Sequence, residues 1–245
     1  MTHQEKTLTK NEIKQILSLK TKTGREQEKE FFAEGIRICQ TLIKSPLQLI
    51  QLYTTKEMLQ DAENLAENIT VVSKSIMERL SPSKTPSGLL GIFSIPKKII
   101  PEEIKKGIVL ARISDPGNAG ALIRSAVAFG FSEIIMIEGC DPWNPKVIQA
   151  SAGTIGHAKI YELSWSELKS HQNRPPLMAL VPRDGNPLEK TTKNNLLIIG
   201  NEAHGIPHEW ITECDSRATL SMPGKIESLN AAVAGSIALY LSISE

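Results

Sequence analysis

The chain has 245 residues, 28 basic and 27 acidic side chains, a formal net charge of +1 and 40% hydrophobic residues. Balanced charge argues neither for nor against nucleic acid, so any RNA or DNA contact must come from a local patch. Three widely spaced cysteines, Cys39, Cys140 and Cys214, form no CxxC pair, which excludes a disulfide framework and fits a reduced cytosolic chain. The length suits one large or two modest domains with a substantial core. The amino terminus lacks an apolar signal core and no run approaches membrane-spanning length, so a soluble cytoplasmic protein without membrane contact is expected.

In the first third, Thr9 and Glu12 make a capping-box pattern that predicts an amphipathic helix to about Lys20. Thr21 to Glu30 is strongly charged and predicted to be exposed. FFAEGIRICQTLIKSP reads as a short entry and then a helix from Gly35 to Lys44, stopped by Ser45-Pro46. Leu47 to Tyr53 is predicted as a strand, Lys56 to Ala66 as a helix, Ile69 to Val72 as a strand and Lys74 to Leu80 as a helix. SPSKTPSG is a loop by composition and LLGIFSIP a buried strand. These alternating elements predict a small α/β domain over 1–98, with IPKKIIP (Ile95 to Pro101) as linker. Lysines recur up to Lys106, as a solvated face or a substrate-gripping surface.

The second domain is predicted over 105–245. A strand from Gly107 to Ile113 enters the loop S-D-P-G-N-A-G, a helix runs from Ala121 to Phe129, and a strand follows at Ile134 to Ile137. That is a parallel β-loop-α-β unit. Helices at Pro145 to Ala150 and Trp165 to Ser170, and strands at Lys159 to Tyr161, Leu177 to Val181 and Leu196 to Ile199, complete a buried parallel sheet. Ligands bind such sheets at the loops past the carboxyl ends of the strands.

Two of those loops and the last helix carry candidate chemistry. In Asp115 to Gly120, Asn118, the free amides of the following helix and Arg124 could hold a phosphate or a polarised hydroxyl; a tight turn with a surface arginine is the plainer alternative. In Gly200-Asn201-Glu202, a carboxylate and a carboxamide follow a buried strand, where they need partners unless they lie in solvent. In the final stretch, LSMPGKIESLNAAVAGSIALY, Ser228 is the candidate N-cap and Asn230 lies in the first turn. The small residues Ala231, Ala232, Ala234, Gly235, Ser236 and Ala238 predict close packing against a sheet or helix. His204, His208 and Cys214 lack a second ligand pair near them, so no metal is expected. No G-x-G-x-x-G or P-loop is present, and Cys140 has no activating base.

Together these stretches resemble the three signature motifs of the SpoU (TrmH-like) RNA ribose 2′-O-methyltransferases of the SPOUT class. The residues are D-P-G-N-A-G-A-L-I-R-S-A-V-A-F-G (Asp115 to Gly130), I-I-G-N-E-A-H-G-I (Ile198 to Ile206) and M-P-G-K-I-E-S-L-N-A-A-V-A (Met222 to Ala234). The resemblance spans about Ile108 to Tyr240. The second motif departs from the usual glycine after Glu, carrying Ala203-His204 instead. The first third is more loosely similar, through F-F-A-E-G-I-R and S-K-T-P-S-G-L-L-G, to a small RNA-binding domain of ribosomal-protein type.

The resemblance implies an α/β parallel-sheet domain closed by a deep trefoil knot, a homodimer, and S-adenosylmethionine held by Gly200, Asn201, Leu220, Met222 and Leu229. It implies methylation of a ribose 2′-hydroxyl in structured RNA, ribosomal rather than transfer RNA. Arg124 then orients the hydroxyl or a neighbouring phosphate, since a guanidinium is a poor proton acceptor. Asn118, Glu202, Ser228 and Asn230 complete the polar shell, with Glu202 a candidate partner of the arginine. The alternatives are a non-catalytic RNA-binding or assembly protein on the same fold, and a dinucleotide-dependent oxidoreductase, which the missing glycine fingerprint disfavours.

Overall fold

The computed structural model describes residues 4–188, 194–224 and 229–243. Two compact units emerge: residues up to Lys97 together with Trp143–Gly156, and Lys98–Pro142 together with the chain from His157 onward.

The first unit opens with α1 (Lys10–Ser18), where Thr9 and Glu12 close the capping box reciprocally. The charged stretch after it is not an open segment but α2 (Lys22–Glu28), capped by Thr21. Arg25 in α2 is 2% exposed, and its Nη1 donates to the Leu19 carbonyl at 2.7 Å. A buried guanidinium is tolerable there because it satisfies a carbonyl left open at the end of α1. The phenylalanine pair that reads as a short entry is a strand, β1 (Glu30–Glu34), with Phe31, Phe32 and Ala33 all buried. Helices contact it from α2, α3 and the excursion described below, and cover on both faces replaces the alternating pattern with a continuous apolar run.

There follow α3 (Ile36–Ile43), β2 (Leu49–Thr54), a 3₁₀ turn at Lys56–Met58, α4 (Leu59–Glu63), β3 (Ile69–Val71), α5 (Lys74–Leu80) and β4 (Leu89–Ser94). The strands form a sheet of order β1-β4-β2-β3. β4 runs antiparallel to both neighbours, and β2 and β3 are parallel.

The second unit begins with β5 (Gly107–Ala111), α6 (Pro116–Ala128) and β6 (Glu133–Ile137). α6 starts five residues before the expected Ala121: Asp115 caps it, accepting from the Asn118 amide at 2.8 Å, and Pro116 occupies the first turn. An Asp-Pro start outweighs the loop-like G-N-A-G composition. After β6 the chain forms α7 (Pro145–Ala150), which belongs to the first unit. It then adds β7 (Lys159–Glu162), α8 (Trp165–Ser170), β8 (Leu177–Leu180), β9 (Asn186–Pro187), β10 (Leu196–Gly200), α9 (His208–Thr212), β11 (Ser216–Thr219) and α10 (Ala231–Leu241). The short β9, α9 and β11 were not anticipated.

Seven strands make one sheet, ordered β7-β6-β5-β10-β8-β11-β9, and every pair in it is parallel. β5 and β6 are buried along their whole length. One face packs Val109, Ala111, Ile135, Ile198 and Leu196 against Trp165, Leu168 and Trp210. α10 lies against α6 and β10. A Cβ on Gly235 would come within 2.4 Å of Leu122 Cδ2 and 2.6 Å of Ile199 Cδ1, so the small-residue pattern of α10 is a packing requirement. The cap of α10 is Asn230, whose Oδ1 accepts from the Ala232 and Val233 amides at 2.9 and 3.2 Å. It is not Ser228, which lies outside the described residues.

Candidate active site

β5 and β10 are adjacent and parallel, with Ala111 opposite Gly200 at their carboxyl ends. The chain leaving β5 turns through α6 to β6 on one side; the chain leaving β10 turns through α9 to β11 on the other. This divergence is a switch point, where two loops part and leave a crevice.

The loop after β10 is built by Asn201. Its Oδ1 accepts from the Ala203 and His204 amides at 2.8 and 3.2 Å. Its Nδ2 donates to the Arg112 carbonyl at 2.9 Å and to Ser114 Oγ at 3.2 Å. Backbone bonds in both directions join Asn201 to Gly205, at 3.2 and 2.9 Å. One side chain thus folds its own loop and ties it to the exit of β5. Gly200 has no room for a side chain, because a Cβ would lie 2.3 Å from the Ile206 nitrogen.

These loops bound a cavity of about 460 Å³, within the range of small-ligand sites. Its lining includes Gly200, Asn201, Leu220, Met222 and Leu229, all five expected cofactor residues, and Glu202. Beside Asn201 and Glu202 the walls are mainly apolar: Leu180, Val181, Pro182, Ile199, Ile206 and Ile211 among them.

The motifs also meet through polar side chains. Asn118 Nδ2 donates to Glu202 Oε1 at 2.7 Å, and Asn230 Nδ2 donates to Asn118 Oδ1 at 3.1 Å. With Asn230 Oδ1 capping α10, this chain of bonds fixes both carboxamide orientations and sets Glu202 as acceptor. Among the described residues Glu202 therefore pairs with Asn118 and not with Arg124. Arg124 lies in the third turn of α6, exposed, and makes no hydrogen bond or ion pair among the described residues.

Several residues that hold this edge went unread in the sequence. Arg112 and Glu138, following β5 and β6, both adopt left-handed backbone, at φ 57° and 50°. Such positions cost roughly 1 kcal/mol or more for residues other than glycine. Arg112 Nε donates to Glu138 Oε2 at 2.7 Å, and its guanidinium lies 4.9 Å from the Trp210 ring centroid. Trp210 stacks on Trp165 at 4.8 Å and 4°. The Arg112 carbonyl that Asn201 grips is thus anchored on three sides. Left-handed backbone at Arg or Glu has no sequence signal.

Thiol chemistry is absent from this edge. Burial, with Asp141, Asp115 and Glu202 nearby, raises the Cys140 thiol to about 11. Burial does the same for Cys214, also to about 11, and takes Cys39 to about 12. Such thiols stay protonated at neutral pH. Among the described residues no cluster of three or more His, Cys, Asp or Glu could hold a metal ion.

A parallel α/β sheet with an apolar cavity and a polar cluster at its switch point defines an enzyme scaffold that takes a ligand at its loop ends. Residues 105–240 match the model of the SpoU rRNA Methylase family. That is more than half of the chain, and the chain belongs to this family of RNA methyltransferases. Residues 10–91 match the MRM3-like substrate binding domain. A 23S rRNA (guanosine(2553)-2′-O)-methyltransferase, RlmP of Bacillus subtilis, is 25% identical over 93% of this chain and 94% of its own. A putative RNA methyltransferase of the TrmH family from Porphyromonas gingivalis superposes with a TM-score of 0.85 at 28% identity, covering 97% of this chain and 99% of that one. An AdoMet-bound rRNA methyltransferase from Sinorhizobium meliloti superposes with a TM-score of 0.82 at 25% identity, covering 98% and 97%.

Proposed function

We propose that this protein methylates a ribose 2′-hydroxyl of ribosomal RNA with S-adenosylmethionine as donor. The observation that carries the proposal is the convergence of Asn118, Glu202 and Asn230, from three distant motifs, beside a mainly apolar cavity. Family membership supplies the reaction class.

S-adenosylmethionine fits the cavity by volume and by chemistry: apolar walls suit an adenine ring, and the Asn201-ordered loop offers backbone groups for its polar edges. Gly200, Asn201, Leu220, Met222 and Leu229 would hold it. The donor supplies an activated methyl group on sulfur, so no metal is needed. Leu220, Met222 and Leu229 would give one side of the site its apolar wall. Asn201 acts through the loop it orders, since both ends of its carboxamide are already engaged.

Arg124 is the group that remains available to RNA. We assign it to orient the 2′-hydroxyl, or the adjacent phosphate, and to stabilise negative charge developing on oxygen. Asn118, itself held by Asn230, keeps Glu202 in place, and Ser228, outside the described residues, is assigned to the reaction by its motif alone. The first unit grips the RNA, as its match to a substrate-binding domain suggests.

We further read the carboxyl-terminal segment as threaded into a deep trefoil knot; insertion of β10 between β5 and β8, with α10 returning on to β10, supports this. A homodimer is supported by the exposed apolar stripe Val233, Ile237 and Tyr240, spaced to share one face of α10. We place the protein in the cytoplasm, in keeping with its three unpaired cysteines, and no described helix is long and apolar enough to cross a membrane. Calorimetric titration with S-adenosylmethionine and, separately, NADH tests the cofactor assignment. Saturable binding of the first alone is expected; binding of NADH alone would overturn it.

A further inference from the structure

Residues 143–156 lie inside the stretch that matches the methylase family, yet they cluster with the first unit. They are firmly built in. The Trp143 and Phe31 rings lie 5.0 Å apart. A Cβ on Gly153 would approach the Ile38 carbonyl oxygen to 2.8 Å, and one on Gly156 would approach Ser45 Oγ to 2.4 Å. The segment delivers α7 as one wall of a second cleft, of about 790 Å³, whose other walls are the start of α3 and the loop before β4.

The charges of this cleft are one-sided. Arg37, on α3, and Lys146, on α7, are exposed and line it from two walls. Neither has an ion pair among the described residues, and exposed Lys84 lies in the loop between them and β4. Glu34 is the one carboxylate in the lining, and both its oxygens are engaged: Oε2 accepts from Ser81 Oγ at 2.8 Å and Oε1 from the Ser87 amide at 2.9 Å. Thr85 and Gln149 add hydrogen-bonding groups to the lining. Two cations on different walls outnumber the single carboxylate, Glu34, whose oxygens are held by Ser81 and Ser87, and this balance suits a polyanion that passes through the cleft rather than a peptide with mixed charge.

We propose that this cleft, α7 included, holds a phosphodiester segment of the RNA substrate, so that a helix from the methylase stretch serves as a substrate-gripping element. The proposal rests on the reading of RNA as substrate and adds to it the residues that bind. Phosphate contacts of this kind fix register and orientation without reading sequence.

The test uses the full chain and purified bacterial 23S ribosomal RNA, with affinity measured across a salt series. Charge reversals Arg37→Glu and Lys146→Glu probe the cleft; Lys14→Glu, on α1 outside it, controls for net charge. Glu at the second position of α7 is favoured by the helix dipole, so that variant keeps its fold. Each cleft reversal should weaken binding by about threefold to tenfold at low salt and flatten the salt slope by about one contact. The control should change neither. S-adenosylmethionine titration should be unaltered in all three. If Lys146→Glu and Arg37→Glu bind RNA as Lys14→Glu does, the cleft assignment is wrong while the methyltransferase reading stands. If the parent protein transfers no methyl group to RNA, that reading fails instead.

Discussion

The two sheets of this protein differ in how they gather polar residues. In the second unit all strands run one way, so every carboxyl end opens on the same edge. Asn118, Glu202 and Asn230, as much as 112 positions apart, are thereby brought into hydrogen-bond contact. In the first unit β4 runs against its neighbours, loops exit at both edges, and no such convergence results. What the first unit has is a cleft lined by Arg37 and Lys146, which form no ion pair among the described residues. A parallel sheet gathers its loops at one edge, and a mixed sheet presents surface; the proposed division between reacting and gripping accords with strand direction.

The largest effect expected from breaking this division is at Arg124. Arg124→Ala should lower turnover by about 10²–10³-fold, the scale of losing a transition-state charge partner, with S-adenosylmethionine affinity retained by calorimetry. Equal loss of cofactor binding would place the arginine in the cavity's construction instead. Gly200→Ala comes next. Its Cβ would meet the Ile206 backbone nitrogen at 2.3 Å, so the loop must move, and overpacking of this kind costs about 1–3 kcal/mol. Cofactor binding should fail in that variant while RNA affinity, which we assign to the other unit, persists.

A smaller effect separates the loop's scaffold from its ligands. Asn201→Ala, which removes four side-chain hydrogen bonds, and more mildly Arg112→Ala, which removes the bond to Glu138, should raise the KM for S-adenosylmethionine by roughly tenfold with little change in kcat, as expected for loss of bonds that order the site rather than react. A fall in kcat alone would assign Asn201 to the reaction. The smallest effect lies in the first unit and should leave the site untouched. Glu12 is held down at about 2, from an ordinary 4.5, by Lys6, then by the Thr9 amide and hydroxyl. A carboxylate depressed by folding contributes stability that is present above pH 4.5 and is lost as pH falls through 2. The difference in melting temperature between parent and Glu12→Gln should therefore narrow as pH falls from 4.5 to 2, with methylation at neutral pH unchanged.

Much of this was legible in the sequence where local chemistry and tertiary structure agree. Thr9 and Glu12, the apolar β5 and β10, and the small residues of α10 signal their roles by capping, burial and volume. The expected cofactor residues line one cavity because each follows a buried strand or precedes α10. Elsewhere local cues misled. D-P-G-N-A-G has loop composition, yet Asp115 and Pro116 start a helix there. F-F-A-E reads as an entry because the helices that contact it, α2 and α3 beside it in sequence and α7 more than a hundred residues on, leave no alternating pattern. The excursion of 143–156 into the first unit has no local signature, since α7 itself reads as an ordinary helix. Arg112 and Glu138 were invisible for a related reason: their backbone conformation is imposed by partners at Ile137, Asn201 and Trp210.

The most direct test of the central claim is to incubate the purified protein with bacterial 23S ribosomal RNA and S-adenosylmethionine labelled in its methyl group, digest the RNA to nucleosides, and locate the label. The account predicts label on a ribose 2′-oxygen, absent when Arg124→Ala replaces the parent. Label on a base, or ribose label undiminished in Arg124→Ala, would contradict it.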